Sequence, residues 1–312
     1  MTEKRISILG IYVADTAYLA PRLPKIGETI SGSGFALGPG GKGSNQAVAA
    51  ARAGANVDFI SKIGDDPFGK MALEIYKETG VTPQLEIMSD MPSGAAFIFV
   101  NDTTGDNAII VYPGAAGTIT VDDVEARREI IENSAVFVTQ LEQPADAAQA
   151  ALKIARDAGV TTVFNPAPAN PFDEACYALS DYFVPNESEA SAIVGFEVQT
   201  GADAKRAGEA LLERGVGTAL ITMGGQGVYI HGPDISELVP AVSAGTVIDT
   251  TGAGDAFVGG FATALAEGKP VSDAVRFGCT TAGISVTRRG TAPAMPARDE
   301  IETLLSGGSL AQ

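Results

Sequence analysis

The chain has no tryptophan, a single histidine and two cysteines among its 312 residues, and each shortage excludes a kind of chemistry. One histidine cannot build a zinc cluster on several histidines, and it leaves a histidine-based triad poorly supplied. His231 stands in the turn context "YIHGPD" and reads as an ordinary surface residue. Any general base must therefore come from Asp, Glu, Lys or Tyr. Cys176 and Cys279 cannot make a disulfide framework in a chain this long, so they read as buried thiols of a reducing compartment. Basic residues are also scarce, 21 Lys and Arg against 38 Asp and Glu, for a formal net charge of -17. With no basic run to offset that charge, nucleic acid is excluded as a partner. Long apolar segments are missing too. The start "MTEKRISILGIYVAD" imitates a secretory signal through Lys4 and Arg5, but its run is short and ends at Asp15. It reads as a buried first strand, so no membrane partner is expected and the location is expected to be cytoplasmic.

What is present is an alternation. Hydrophobic content of 45% can bury a large core, and one α/β domain over residues 1–312 fits better than two independent halves. "RISILGIYV", "NVDFISKIG", "SAVFVTQLE", "VTTVFNPAP", "DYFVPN" and "GTALITMGG" are apolar almost without interruption, as buried parallel strands are. Helical stretches separate them, among them "SNQAVAAARAG", "PADAAQAALKIARDAG" and "GADAKRAGEALLERG". The pattern predicts a doubly wound, mostly parallel sheet with helices on both faces. Residues 14–37 and 92–113 break it, the second as a hairpin around "NDTTGDN". They predict a small β-sheet that covers a site as a lid, or else a mere edge extension of the main sheet. No internal repeat is visible, and only the tail "SGGSLAQ" reads as disordered.

Two glycine clusters carry the chemistry. In "PGGKGSNQAVAAARAGA", Gly38, Gly40 and Gly43 spell G-x-G-x-x-G, but the strand before them is not the chain's first and Asp58 lies inside its strand rather than at the end. Nor is this a P-loop, because Gly43 follows Lys42. The stretch suits close approach of a polyhydroxylated ligand beside Lys42 and Asn45; the plainer reading is a tight helix entry with a solvated lysine. In "DTTGAGDAFVGGFATALAEG", after a strand "GTVIDT", Gly252, Ala253 and Gly254 present backbone amides at a helix N-terminus, an anion hole. Asp255 beside them could be a helix-capping acid. A carboxylate there repels an anion unless it does chemistry, and phosphoryl transfer to an alcohol needs such a proton acceptor.

Together these stretches resemble the two signatures of the PfkB-type (ribokinase-like) sugar kinases, with a likeness running from Ile8 to "RRGTAPAMP". The resemblance implies a Rossmann-like doubly wound domain and a β-sheet lid that serves as a homodimer contact. It also implies transfer of the ATP γ-phosphate to a sugar, here the 5-hydroxyl of ribose or a near relative. Asp15, Gly41, Lys42, Asn45 and Glu142 match sugar-contacting positions, and Asp255 matches the catalytic base. Asn186 and Glu189 resemble an N-x-x-E element that orders Mg²⁺ waters and phosphate. Thr222, Gly224, Gly225 and Gly227 of "TMGGQG" resemble the nucleotide turn, with Gly254 and Cys279 as further nucleotide positions. Asp249, Thr251, Ser285, Arg288, Gly290 and Ala294 match a potassium site, where Ala294 replaces the usual hydroxyl. Val13 stands where the family usually has the asparagine of N-x-D, so a sugar-binding amide becomes apolar; 2-deoxyribose or another sugar is the alternative substrate. A nucleoside substrate is disfavoured because no aromatic cluster is evident in the lid. A non-catalytic sugar or nucleotide sensor remains the alternative of another class.

Overall fold

The near-continuous apolar runs become strands because a strand covered on both faces has no polar side to keep. The computed structural model describes residues 5–309, so Lys4 and the end of the "SGGSLAQ" tail lie outside the described residues. The strands are β1 (Arg5–Leu9), β2 (Val13–Ala20), β3 (Gly34–Gly40), β4 (Asn56–Gly64), β5 (Thr82–Met88), β6 (Ser93–Asn101) and β7 (Asn107–Gly114). They continue as β8 (Val136–Thr139), β9 (Thr161–Phe164), β10 (Tyr182–Phe183), β11 (Thr218–Thr222), β12 (Val228–Gly232) and β13 (Ile235–Val239).

A nine-stranded sheet has the order β13-β12-β11-β10-β9-β8-β1-β4-β5. From β5 to β11 all pairings are parallel, and β12 and β13 close that edge antiparallel. After β1 the chain builds outward one way through β4 and β5, then the other way from β8. The strand order therefore reverses between β1 and β8, and a crevice opens there at the carboxyl ends. Ile6, Ile8, Val136 and Val138 pack on the side of the helices Lys42–Arg52, Ala253–Ala266 and Val271–Ser285. Leu9 and Phe137 face the other way, towards the helix Ala145–Asp157.

The two segments without helices supply a separate four-stranded sheet, β3-β2-β6-β7. "RISILGIYV", read as one strand, ends as one at Leu9; residues 10–12 cross over and Val13 opens β2 of the other sheet. The chain leaves the main sheet at Gly10, where a Cβ would lie 2.7 Å from the Gly43 Cα. Three further readings need correction. "GTVIDT" is irregular rather than a strand, tied down because Ile248 N and Asp249 N both donate to Val286 O, at 2.8 and 3.2 Å. His231 lies on β12 instead of in a turn, its Nδ1 3.1 Å from Ser236 Oγ. Tyr18, Phe35 and Phe97 do form an aromatic cluster on the small sheet, with ring centroids 5.1 and 5.6 Å apart. Strand alternation puts this cluster on the face opposite Asp15. No described helix is long and apolar enough to cross a membrane.

The crossing at Gly10 depends on the absence of two side chains, since a Cβ on Gly43 would meet the Gly10 Cα at 2.6 Å. Gly43→Ala should therefore lower the denaturation midpoint in urea, by the ~1–3 kcal/mol usual for forced overpacking. An unchanged midpoint would show that the turn has room to give.

Candidate active site

Each glycine of the first cluster answers to a neighbour in the protein itself. A Cβ on Gly40 would land on the Asp15 carboxyl. Gly41 has φ +89°, the left-handed region that favours glycine, and a Cβ there would lie 2.6 Å from Ile11 O. This turn starts the Lys42–Arg52 helix, whose first amide, Lys42 N, donates to Glu142 Oε2 at 2.7 Å. A carboxylate at that position is favoured by the helix dipole.

The second cluster arrives beside it. Gly252, at φ +77°, precedes the Ala253–Ala266 helix, and Asp255 lies buried in its first turn. Asn45 Nδ2 donates to Asp255 Oδ2 and Gln46 Nε2 to Oδ1, each at 3.0 Å. Asn45 Oδ1 is buried without a hydrogen-bond partner among the described residues, an acceptor suited to a hydroxyl. Of the three expected anion-hole amides, that of Ala253 donates to Thr250 O at 3.2 Å. Gly254 N–H lies in the first helical turn, where amides have no partner within the helix.

Charge is concentrated here. Burial, and then the Asp255 charge, push Asp15 up to about 6, with the Thr291 hydroxyl opposing the rise. Burial likewise pushes Glu142 up to about 7 against the pull of Lys42. Burial disfavours the Lys42 ammonium, but Asp255, Glu142 and Glu189 outweigh it and hold Lys42 above its ordinary value. Burial also raises Glu189, opposed by the Asn186 amide.

On the other side of the Gly252–Gly254 turn lies a cavity of about 410 Å³. Thr222, Gly224, Gly225, Gly227, Gly254 and Cys279, all singled out from the sequence, line it. Burial pushes the Cys279 thiol up to about 12. Asn186 and Glu189 instead form a capping box for the helix Glu187–Val194: Glu189 N donates to Asn186 Oδ1 at 2.8 Å, and Asn186 N to Glu189 Oε2 at 2.9 Å. Of the cation-site candidates, Thr251 and Gly290 meet Asp249 directly. Its Oδ1 accepts from Thr251 N and its Oδ2 from Gly290 N, both at 2.9 Å. Burial works against that carboxylate, but these bonds hold it below its ordinary value. Ser285 O accepts from Arg288 N at 3.0 Å, while the Arg288 guanidinium pairs with Glu300. Ala294 is buried, its amide donating to Thr291 O at 3.0 Å. Val13 shares a face of β2 with Asp15 and packs on β6, where a Cβ on Gly94 would lie 2.8 Å from its Cγ1.

Sequence reasoning missed Thr291, whose hydroxyl donates to Pro39 O at 2.8 Å. A Cβ on Gly252 would lie 3.4 Å from it, so Thr291 joins the small sheet to the Gly252–Gly254 turn. It also missed Gln46, Gln140 and Asn165. Gln46 stands next to Asn45, but nothing in its spacing told it from a helix-surface glutamine.

A model of the pfkB family of carbohydrate kinases matches residues 3–298. The chain is 38% identical over 299 residues to the ribokinase of Haemophilus influenzae, covering 96% of this chain and 97% of that protein. It is 33% identical over 303 residues to the deoxyribokinase of Salmonella typhi, covering 96% and 98%. The structure of Arabidopsis thaliana ribokinase complexed with ribose and ATP superposes with a TM-score of 0.89 at 29% identity, covering 98% of this chain and 99% of that one.

The raised Glu142 has a consequence for stability. A carboxyl whose folded value lies above its unfolded one binds more protons when folded, so its contribution is full below the unfolded value and is lost as pH rises through about 7. Between pH 6 and 8 the unfolding midpoint of Glu142→Gln should therefore fall less with rising pH than that of the parent. Parallel pH dependences in thermal melts would contradict the burial of that charge.

Proposed function

The chain belongs to the pfkB family of carbohydrate kinases, and from that premise we propose that it transfers the γ-phosphate of ATP to the 5-hydroxyl of ribose. The observation that carries this reading is the place of Asp255. Its carboxyl is fixed at both oxygens, with Asp15, Lys42, Asn45 and Glu142 on one side and the glycine-lined cavity on the other.

In this reading ATP occupies the cavity, its phosphates reaching the Gly252–Gly254 turn, where amides and helix dipole stabilise the transferring group. Asp15, Gly41, Asn45 and Glu142 hold the other sugar hydroxyls. Asp255 accepts the proton of the 5-hydroxyl as that oxygen bonds to the γ-phosphorus. The bond from that phosphorus to the bridging oxygen breaks and ADP leaves, with Lys42 balancing the charge. Glu189 lies within electrostatic reach of Lys42 and Asp255. A single carboxylate with water and phosphate oxygens suits Mg²⁺, which when bound neutralises phosphate charge. Asn186 and Glu189 would order its waters. The loops of Asp249, Thr251, Ser285, Arg288, Gly290 and Ala294 would take potassium largely through backbone carbonyls, a donor set that suits a hard monovalent cation.

The protein is one kinase domain, with the small sheet as its lid and the cytoplasm, where ATP is made available, as its place. The outer face of the lid exposes Tyr18, Phe35, Leu37, Ile110 and Tyr112. A contiguous apolar face of this kind fits a second copy of the chain, a homodimer through the lid.

A second reading, 2-deoxyribose as substrate, rests on Val13. Its buried isopropyl group cannot pair with a hydroxyl, and an unpaired buried polar group costs about 1–3 kcal/mol. A sugar lacking that hydroxyl escapes the cost. Val13→Asn should raise the ratio of kcat/KM for ribose over 2-deoxyribose, and an unchanged or lowered ratio would remove position 13 from sugar recognition.

The kinase reading itself is tested by coupled ADP release with a sugar panel. Asp255→Asn should keep sugar and nucleotide binding while kcat falls ~10²–10⁴-fold, the usual effect of losing a general base. Turnover within a few-fold of the parent would refute the assignment, and tight sugar binding without ADP release in the parent would favour a sensor.

A further inference from the structure

A chain of buried side-chain amides leads from Asp255 to the carboxyl ends of β8, β9 and β10, and none of them lines the cavity. Gln140, just past β8, donates from Nε2 to Gln46 Oε1 at 2.5 Å. Gln46 Nε2 donates to Asp255 Oδ1 at 3.0 Å and to Asn165 Oδ1 at 3.2 Å. Asn165, just past β9, donates in turn from Nδ2 to Val184 O at 2.7 Å, just past β10. Gln46 and Gln140 are both 0% exposed.

We propose that Gln46 is a positioning residue for the catalytic base, pinning Asp255 Oδ1 to the loops at the carboxyl ends of β8, β9 and β10. The proposal rests on Asp255 acting as that base. Its direction is forced by chemistry. An ionised carboxylate only accepts, so Gln46 must present its amino group to Asp255 and its carbonyl to Gln140. Both Gln46 N–H bonds are then used, and the side chain has one satisfied orientation. Asn45, by contrast, holds Oδ2 while its own buried Oδ1 has no partner among the described residues and, in the proposed reading, takes a sugar hydroxyl. Gln46 does not share that duty. It keeps the carboxylate plane fixed while the sugar-side oxygen exchanges partners. Were Gln46 only a polar filler of the core, its donors could have gone to backbone carbonyls; one of them goes to the base.

Gln46→Met keeps length and bulk but removes both donors. Because misplacement of a reacting group by about 1 Å costs on the order of 100-fold, kcat should fall ~10–100-fold, with sugar KM and nucleotide affinity within about threefold of the parent. A kcat within about threefold of the parent would overturn the proposal.

Should Gln46→Met not fold, as judged by circular dichroism, Gln46→Glu serves. The carboxyl introduced by that substitution can donate to Asp255 only while the pair holds a proton. The variant's kcat relative to the parent should therefore fall as pH rises, whereas a space-filling role predicts a constant ratio. Lys42, Asp15, Glu142 and Glu189 are the other charged groups in electrostatic reach of Asp255 and are common to both proteins. A parent with no sugar-dependent ADP release would overturn the kinase reading itself. That outcome is distinct from an active parent matched by its Gln46→Met variant.

Discussion

Two hydrogen bonds to one carboxylate join parts of the chain 210 and 209 residues apart, and the site exists only where they form. Aspartate is short, so the starts of the helices Lys42–Arg52 and Ala253–Ala266 must lie nearly in contact. Small residues make that approach possible. A Cβ on Gly259 would sit 2.7 Å from Gln46 O and 2.9 Å from Ala50 N, which leaves no space for even a methyl group. The alanine-rich face of the first helix and the glycines of the second are thus the packing condition for the chemistry. They set how near the two helix N-termini stand, and with that how near the Lys42 turn and the Gly252–Gly254 turn can come.

The same constraint explains why so many acids tolerate one another. Asp255, Glu142 and Glu189 surround Lys42, and Asp15 lies within electrostatic reach of Asp255 and Glu142, in a chain that is already strongly acidic. Without compensation such a cluster destabilises the fold, and burial accordingly shifts Asp15 and Glu142 towards their neutral forms. Hydroxyls that donate to these carboxylates favour their ionised forms, so ligand binding relieves part of the conflict. Local conflict of this sort is expected at a functional site.

Much of this was legible in the sequence. The long buried strands, the hairpin at "NDTTGDN" and both glycine turns stand where their patterns put them, because continuous apolar runs and glycine-rich turns have few other uses. The reasons behind the first turn were only partly legible. Its glycines suggest room for a ligand, yet Gly40 makes way for Asp15 and Gly43 for Gly10. Asn186 and Glu189 were legible as polar residues just past a strand end, and their N-x-x-E spacing is also that of a capping box, the pairing the structure shows. Gln46, Gln140, Asn165 and Thr291 were not legible at all. Each acts through a partner more than ninety residues away, and no local period records that. "GTVIDT" misled for the converse reason: β-branched residues resemble a strand even where Val286 O, rather than a neighbouring strand, receives the amides.

The central claim is that a sugar hydroxymethyl and a γ-phosphate meet at Asp255. The product decides it most directly. Ribose labelled with carbon-13 at C5 can be followed by NMR during incubation with protein and MgATP. The account predicts phosphorus coupling at C5 that grows in step with ADP, and no ADP when 5-deoxyribose replaces ribose. Phosphate appearing at the anomeric position, or ADP formed equally with 5-deoxyribose, would contradict it.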